Sequence, residues 1–438
     1  MFKFSGEAKK AIDLILNTTE NVFVTGKAGT GKSTLLEHIR LVAERRIIVL
    51  APTGISAVNV NGETIHSFFT LKPGFEKDEA MHMIMNKRKQ DKFRPLKTIA
   101  IDEISMVRAD LLDAVDIVLR RARKIDKPFG GVQMVFFGDL HQLPPVVTVN
   151  DKDKFYSEYE SPYFFEAEVF HGQTDLFGSS FKMHYVELNK IYRQSDLNFI
   201  NLLNSIRNNS ITIDEIKELN KRCNPYFVPK EEDKYIHLMT TNEAANKVNE
   251  KKLHALADED RIFIAKKTGT VAKNLYPNDE VLIFRTGAQI MFVCNDSERR
   301  WVNGTIGKIV EIAEYIDEKT GLFETMLRVE KNDGKIVEVK KHLWEISKYI
   351  FESGEFVRKN LGTYEQMPIK LAWAITIHKS QGKTFDKVII DLGAGSFAHG
   401  QTYVALSRCT SLSGIVLKRP FRRADIIMDK RVQSFKVS

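Results

Sequence analysis

The sequence predicts an α/β protein made of two similar parallel-sheet halves, the second interrupted by a small β module. Three observations predict it. Apolar runs alternate with helical spacings through the first third of the chain. Short strand-like runs separated by tight-turn signals fill the stretch from about 255 to 355. The alternating texture then returns over residues 367–417.

In chain order, residues 7–18 have helical apolar spacing and lead into the run Val22-Phe23-Val24. Leu35, Leu36, Ile39 and Val42 recur at helical spacing, so a helix packs back on the sheet. Ile47-Ile48-Val49-Leu50 reads as a buried strand, ended by Ala51-Pro52-Thr53-Gly54. The stretch 62–97 is mixed and loop-rich. Thr98-Ile99-Ala100-Ile101 is the next strand and ends in Asp102-Glu103. A helix over Ala109 to Arg123 leads to Met134-Val135-Phe136-Phe137, capped by Gly138-Asp139. Strands alternating with helices make a parallel sheet with functional loops at the strand ends. In the module, Val281-Leu282-Ile283-Phe284, Gln289-Ile290-Met291-Phe292-Val293, Ile306-Gly307-Lys308-Ile309-Val310 and Ile336-Val337-Glu338-Val339 are strand-like. The turns lie at Asn303-Gly304, Lys319-Thr320-Gly321 and Asn332-Asp333-Gly334. Lys387-Val388-Ile389-Ile390-Asp391 is a strand of the second half.

At 438 residues the chain is too long for one ordinary core. A hydrophobic share of 43% and a charged share of 28% describe a folded chain, not a disordered one. No apolar run is long enough to span a bilayer, and the first residues lack the apolar core of a secretory signal, so a cytoplasmic protein with no membrane partner is expected. Cys223, Cys294 and Cys409 are scattered with no CxxC pair, which disfavours a zinc site or a disulfide framework. The net charge of +8 permits a polyanionic partner without requiring one.

The stretch that carries chemistry is Gly26-Lys27-Ala28-Gly29-Thr30-Gly31-Lys32-Ser33, set between a strand and a helix. Glycines there let successive backbone N–H groups curl around phosphate oxygens, and the following helix adds its positive end. Lys32 reaches the β- and γ-phosphates, Ser33 ligates Mg²⁺, and Thr34 opens the helix beside them. Asp102 is placed to hold Mg²⁺ through water, and Glu103 to orient and deprotonate an attacking water. A GTPase would also need Asn-Lys-x-Asp; Asn189-Lys190-Ile191-Tyr192 and Asn246-Lys247-Val248-Asn249 both fail at the aspartate, which favours ATP or mixed triphosphate use. Gln142, in Gly138-Asp139-Leu140-His141-Gln142-Leu143-Pro144-Pro145, can sense the γ-phosphate or simply belong to a rigid loop.

The order of these motifs resembles superfamily-one DNA helicases of the RecD-like branch and, within it, the Pif-type (petite integration frequency) family. The resemblance is carried by the phosphate loop, Ala51-Pro52-Thr53-Gly54, Thr64-Ile65-His66-Ser67-Phe68-Phe69 and Asp102-Glu103-Ile104-Ser105-Met106. It continues through Lys127-Pro128-Phe129-Gly130-Gly131-Val132-Gln133, Ile191-Tyr192-Arg193-Gln194, Trp301-Val302-Asn303-Gly304-Thr305, Thr376-Ile377-His378-Lys379-Ser380-Gln381-Gly382 and Tyr403-Val404-Ala405-Leu406-Ser407-Arg408. It implies two RecA-like domains: 1–180, with a wedge insertion at about 62–97, and 181–254 with 356–438, interrupted by a small β-barrel over 255–355. It implies ATP with Mg²⁺, and Arg193 and Arg408 as arginine fingers that speed hydrolysis. Gln381 and Gly382 would face the nucleotide. DNA would be held by Pro52, Thr53, Gly54, Thr64, His66 and Phe68 from the first domain and by Thr376, His378, Lys379 and Ser380 from the second, with a core place for Phe68 and Phe69 as the competing reading.

The implied activity is an ATP-dependent helicase moving 5′ to 3′ on single-stranded DNA and opening duplex junctions, with G-quadruplexes also typical substrates of the family. A monomer is enough for that mechanism. Replication, recombination, repair and telomere maintenance are the family's settings. One departure stands out: the family often carries an adenine-reading glutamine where this chain has Ala8, which opens the site to other triphosphates. A small-molecule kinase would not need a second half carrying Arg193, Lys379 and Arg408. A DNA-bound ATP switch would keep the ATPase but would not depend on a wedge.

Overall fold

The computed structural model describes residues 4–43, 47–72, 74, 76–171, 181–269, 271, 273–316, 321–352 and 355–435. Residues 1–3, Pro73, Phe75, Lys319 and Thr320, which carry small parts of the expectations above, lie outside them. The chain forms two compact units: Met1–Tyr192 with Ser347–Asn360 and Asp429–Ser438, and Arg193–Ile346 with Leu361–Met428.

The first unit is built on β1 (Asn21–Gly26), β2 (Ile47–Ala51), β3 (Glu63–Thr64), β4 (Thr98–Ile101), β5 (Gln133–Phe137) and β6 (Met183–Leu188). They lie in the order β3-β2-β4-β5-β1-β6, every pair parallel. Alternation along each strand divides the apolar residues between two cores. Phe23, Ile48, Leu50, Ile99, Ile101, Met134 and Phe136 fill one face. Val22, Val24, Val49, Ala100, Val135 and Phe137 fill the other, with α1 (Gly6–Asn17) and α2 (Lys32–Val42) packed on them.

The stretch 62–97 is more ordered than its sequence suggests. After β3 it folds into three short helices: α4 (Ile65–Phe69), α5 (Glu76–His82) and α6 (Lys87–Phe93). Thr64 and Asn86 accept hydrogen bonds from Ser67 N and Lys89 N as N-caps. Helices of one to two turns show no clear period and are held by burial. Phe68, Phe69, Ala80, Met83 and Phe93 supply it by entering the first core. The long helix α7 (Ala109–Arg123) lies where its spacing predicts.

The first sheet also extends past the boundary expected at residue 180. All six residues of β6 pair with β1, from Asn21↔Met183 to Gly26↔Leu188. Its sequence, Met-His-Tyr-Val-Glu-Leu, is that of a half-exposed edge strand, so no continuous apolar run marks it. Two distant segments complete this unit, and Tyr349, Val432 and Phe435 pack in its first core.

The second unit has its own parallel sheet and an antiparallel module. The strands, in chain order, are β7 (Ile236–Met239), β8 (Arg261–Ile264), β9 (Lys266–Gly269), β10 (Val281–Phe284), β11 (Gln289–Phe292), β12 (Ile306–Ile316), β13 (Phe323–Lys331), β14 (Ile336–Val339), β15 (His342–Glu352), β16 (Glu355–Gln366), β17 (Ile369–Leu371), β18 (Ala374–Thr376), β19 (Val388–Asp391) and β20 (Ile415–Leu417). The parallel sheet is ordered β18-β7-β19-β20. The module contains a five-stranded sheet, β14-β13-β12-β11-β17, a three-stranded sheet, β15-β16-β9, and the pair β10-β8. Its strands run from Arg261 to Leu371, past the expected end at 355. Trp301 stacks on Phe292 with ring centroids 4.4 Å apart, and Phe284, Ile290, Ile309, Leu327 and Val329 surround them.

Candidate nucleotide site and strand-end loops

In the first unit, β1 delivers the chain to the phosphate loop through Gly26. A Cβ on Gly26 would lie 2.6 Å from Leu188 O and 2.8 Å from Thr30 Oγ1, so only glycine fits between the loop and β6. Gly29 and Gly31 hold φ of +82° and +85°, which turns the loop back on itself before α2 begins at Lys32. Thr30 Oγ1 donates to Lys27 O at 2.9 Å and closes the curve, with Ala28 buried inside it. Gly31 caps α2 without a side chain, so the first N–H groups of an 11-residue helix are left for a ligand. Ser33 and Thr34 are exposed on that first turn.

The Lys32 ammonium donates to Gly26 O at 2.7 Å and Lys27 O at 3.2 Å. It is thereby held at the loop where phosphate oxygens would compete for it. Asp102, at the end of β4, is buried, and its N–H donates to Leu50 O at 2.9 Å. Burial and the Glu103 carboxylate push the Asp102 carboxyl up from the ordinary 3.8 to about 7; a backbone hydrogen bond from Glu103 and the charge of Lys32 oppose the shift. Glu103 holds the left-handed conformation, φ 51°, which costs a non-glycine residue on the order of 1 kcal/mol and turns the chain into a 3₁₀ helix over Ile104–Met106.

A Cβ on Gly138 would meet Ile104 Cγ2 at 2.8 Å, so glycine at the end of β5 brings the next loop against the Asp102 loop. In that loop Gln142 Nε2 donates to Asp139 Oδ2 at 3.1 Å, and both residues are buried. The glutamine is therefore anchored rather than free to swing. Tyr192, to which sequence reasoning gave no role of its own, belongs to this site. Its N–H donates to Gly29 O at 2.9 Å, and its ring lies 3.8 Å from where a Gly31 Cβ would be. The aromatic beside Arg193 in Ile191-Tyr192-Arg193-Gln194 was the available signal.

These residues suit a magnesium nucleotide. Among the described residues there is no cluster of three or more His, Cys, Asp or Glu that would hold a metal unaided. Mg²⁺ is commonly held by one or two protein oxygens together with substrate phosphates, as Ser33 and Asp102 would allow. The raised carboxyl sets the pH dependence. Between about pH 4 and 7 the unfolded Asp102 ionises while the folded one stays neutral, so ligand-free stability is expected to fall as pH rises through that window. A bound cation favours the ionised form instead, so the magnesium nucleotide is expected to bind about tenfold more tightly at pH 8 than at pH 6. Asp102→Asn should flatten both trends; calorimetric titration and thermal melts across pH measure them.

The strand-end loops expected to hold DNA differ in how free their side chains are. Pro52-Thr53-Gly54 follows β2, and Thr53 caps α3 (Gly54–Asn59) in a reciprocal box with Ser56 while remaining exposed. Thr64 is buried with its hydroxyl engaged as the α4 cap, and His66 is half-buried. Phe68 corrects the expectation: it is 0% exposed. Its ring lies among Phe69, Phe93, Tyr349 and Phe356 at centroid distances of 5.0–6.4 Å, so it has no face for a base. Phe68→Ala is expected to cost about 3–5 kcal/mol of stability in urea unfolding, with DNA affinity of the folded protein unchanged.

In the second unit, the loop after β18 holds Thr376 to Gly382. Thr376 Oγ1 accepts from Lys379 N at 3.2 Å, and Ser380 Oγ donates to Ile377 O at 2.6 Å. Ser380 is fully buried, so its hydroxyl shapes the loop and does not reach a phosphate in this arrangement. Burial lowers the His378 pKa, which favours the neutral ring, and Lys379 is exposed. Gln381 is half-buried, and Gly382 turns with φ +78°.

Both arginines converge on this loop. Arg193 donates to Ser407 O at 3.2 Å and Gly382 O at 3.5 Å. Arg408 is 1% exposed and donates to Val404 O at 3.0 Å, Ser407 Oγ at 2.9 Å and Ser380 O at 3.4 Å. Arg408 thus ties its helix to the Thr376–Gly382 loop; Arg193 keeps the looser bonds.

Comparison with known proteins places these features. The PIF1-like helicase family model matches residues 3–217. The chain is 32% identical to "ATP-dependent DNA helicase Pif1" of Bdellovibrio bacteriovorus, over 99% of this chain and 91% of that protein. It is 34% identical to the protein of the same name from a Psychrobacter species, over 92% of this chain but 66% of that longer protein. Bacteroides Pif1 in complex with ADP-AlF4 superposes with a TM-score of 0.87 at 36% identity, covering 99% of this chain and 96% of that one. The same Bacteroides protein bound to single-stranded DNA gives 0.67, again at 36% identity and over the same shares. With its two parallel-sheet, RecA-like units and these relatives, the chain belongs to the PIF1-like helicase family, whose matched members are named ATP-dependent DNA helicases.

Proposed function

We propose that this chain is an ATP-dependent helicase that moves 5′ to 3′ along single-stranded DNA and opens duplex junctions, in replication, recombination or repair. The observation that supports it most is that Lys32 sits on the glycine loop within electrostatic reach of Asp102, with Glu103 beside it, while Arg193 and Arg408 meet at a second strand-end loop. The direction and the DNA partner rest on family membership.

In this reading, Lys32 and the first turn of α2 hold the phosphates, while Ser33 and Asp102 would hold Mg²⁺, which would neutralise charge on them. Glu103 orients the attacking water and takes its proton, and Gln142 reports the γ-phosphate to the loop that follows it. Arg193 stabilises the charge on the departing γ-phosphate, and Arg408 holds the loop on which Arg193 rests. Tyr192 offers a stacking face to the base. Stacking tolerates any base, in keeping with Ala8 where an edge-reading side chain is expected. Thr53, His66, His378 and Lys379 hold backbone phosphates without reading sequence.

The test is ATPase with and without single-stranded DNA, alongside unwinding of duplexes carrying a 5′ or a 3′ tail. Strong stimulation by DNA and unwinding from the 5′ tail are expected. Unwinding from the 3′ tail alone would overturn the direction, and no stimulation would overturn the motor.

A further inference from the structure

Cations on the first unit are distributed unevenly. Arg121 and Arg123 of α7 donate to backbone carbonyls, and several other cations on the side of α5 and α7 are paired with acids: Lys77 with Glu158 and Glu168, Arg108 with Asp110 and Asp151, Arg120 with Asp116 and Asp126, and Lys154 with Asp78. On the side of α6 they are not. Residues 87–97 carry six Lys and Arg against the single acid Asp91. Among the described residues Lys87, Arg88 and Arg94 make no ion pair, and all three are exposed.

A second segment adds to this face. The tip of the β15–β16 hairpin belongs to the same unit and is pinned to the start of α4. Glu63 accepts from Tyr349 N at 2.8 Å and from Ser67 Oγ at 2.6 Å, and Tyr349 packs its ring on Phe68. This brings Lys348 close enough to Lys92 for the two to repel, with Arg88 also bearing on Lys92, and the buried Glu63 carboxylate faces both lysines from beneath. Arg358 lies near enough to Tyr349 for its charge to favour the ionised phenol. Lys348 and Arg358 likewise form no ion pair among the described residues. On α6, Arg88 and Lys92 share one ridge at i, i+4, and Lys87 and Arg94, seven apart, share the next. Lys92 itself is engaged, donating to Phe68 O beneath the ridge.

An excess of like charges costs energy unless a polyanion offsets it. The kind of polyanion follows from what the face lacks. Proteins that grip single strands pair cations with exposed aromatic rings that stack bases. Here Phe68, Phe93 and Tyr349 are all buried, so no exposed aromatic ring accompanies the cations, which outnumber the exposed acids Asp91, Glu352 and Glu355. Cations without exposed rings suit a duplex, whose bases are covered and whose phosphates face outward.

We propose that the face formed by α6 and the hairpin tip, through Lys87, Arg88, Arg94, Lys348 and Arg358, binds the phosphates of double-stranded DNA. It rests on the helicase reading and adds a second DNA contact, separate from the strand-end loops that hold the translocated strand. Its occupant would be the duplex still to be opened.

The experiment compares binding of the full chain to a blunt hairpin duplex and to an oligothymidine by fluorescence anisotropy across a salt series. Lys87→Glu/Arg88→Glu/Arg94→Glu is expected to weaken blunt-duplex binding about tenfold or more. It should also lower the slope of log affinity against log salt by about two to three. Oligothymidine affinity and oligothymidine-stimulated ATPase should stay within twofold. Lys348→Glu/Arg358→Glu, on a different segment, should give the same signature, and thermal melts confirm that both variants fold. Unchanged duplex affinity in both variants, or an equal loss for the oligothymidine, would overturn the proposal. Loss of DNA stimulation in the unsubstituted protein would instead overturn the motor reading, because duplex binding is measured without turnover.

Discussion

Lys32→Ala is expected to lower ATP turnover by about 10²- to 10³-fold, the range for removing one preorganised charge from a developing anion. The argument is geometric. The ammonium spans Gly26 O and Lys27 O, at 2.7 and 3.2 Å, on the loop that leads into the first turn of α2. An arriving phosphate offers it a full negative charge in place of two carbonyl dipoles. Because Lys32 stands at the first position of α2 and its side chain fills no core, alanine there leaves the fold intact. Phosphate release with and without single-stranded DNA measures the loss, and DNA affinity should stay within twofold. Turnover within threefold of the parent would remove Lys32 from the chemistry.

How legible the site was in the sequence depended on whether its residues are local or assembled. The phosphate loop, Asp102-Glu103 and Gly138-Asp139 each follow a strand buried on both faces, so the apolar runs Val22–Val24, Thr98–Ile101 and Met134–Phe137 located them. Glycine did the rest, since Gly26 and Gly138 stand where any side chain would strike a neighbouring segment. The β module was legible as a texture but not in extent. Its longest strands, β12, β13, β15 and β16, mix polar and apolar residues on half-exposed surfaces.

What local reading could not supply was which face a residue turns. Phe68 sits in a motif otherwise suited to DNA. Its burial is decided by Phe93, 25 positions on, and by Tyr349 from another segment altogether. The inclusion of 347–360 and 429–438 in the first unit was invisible for the same reason, because chain order carries no record of where a hairpin tip or a terminal helix docks. Tyr192 was missed because its contact with Gly29 joins the end of the first unit to its beginning, across more than 160 residues.

The two arginines should separate under substitution, although both meet the same loop. Arg193→Ala is expected to lower turnover by about 10³- to 10⁵-fold, the worth of an arginine that stabilises a departing phosphoryl group, while ATP still binds. Its bonds to Ser407 O and Gly382 O, at 3.2 and 3.5 Å, are long enough to be exchanged for a phosphate at little cost. Arg408 is bound differently. Its guanidinium is enclosed and meets Val404 O, Ser407 Oγ and Ser380 O, so Arg408→Ala leaves buried acceptors unpaired and should lower stability as well as turnover. Arg408→Lys keeps the charge but cannot reproduce the fork, and Arg193→Lys keeps a charge at the looser position. If Arg193 acts on phosphate and Arg408 on the loop, Arg193→Lys recovers part of the rate without a change in melting temperature. Arg408→Lys should then recover neither rate nor stability in full. A melting temperature that falls equally for both alanine variants, with equal losses of turnover, would show that they share one structural role.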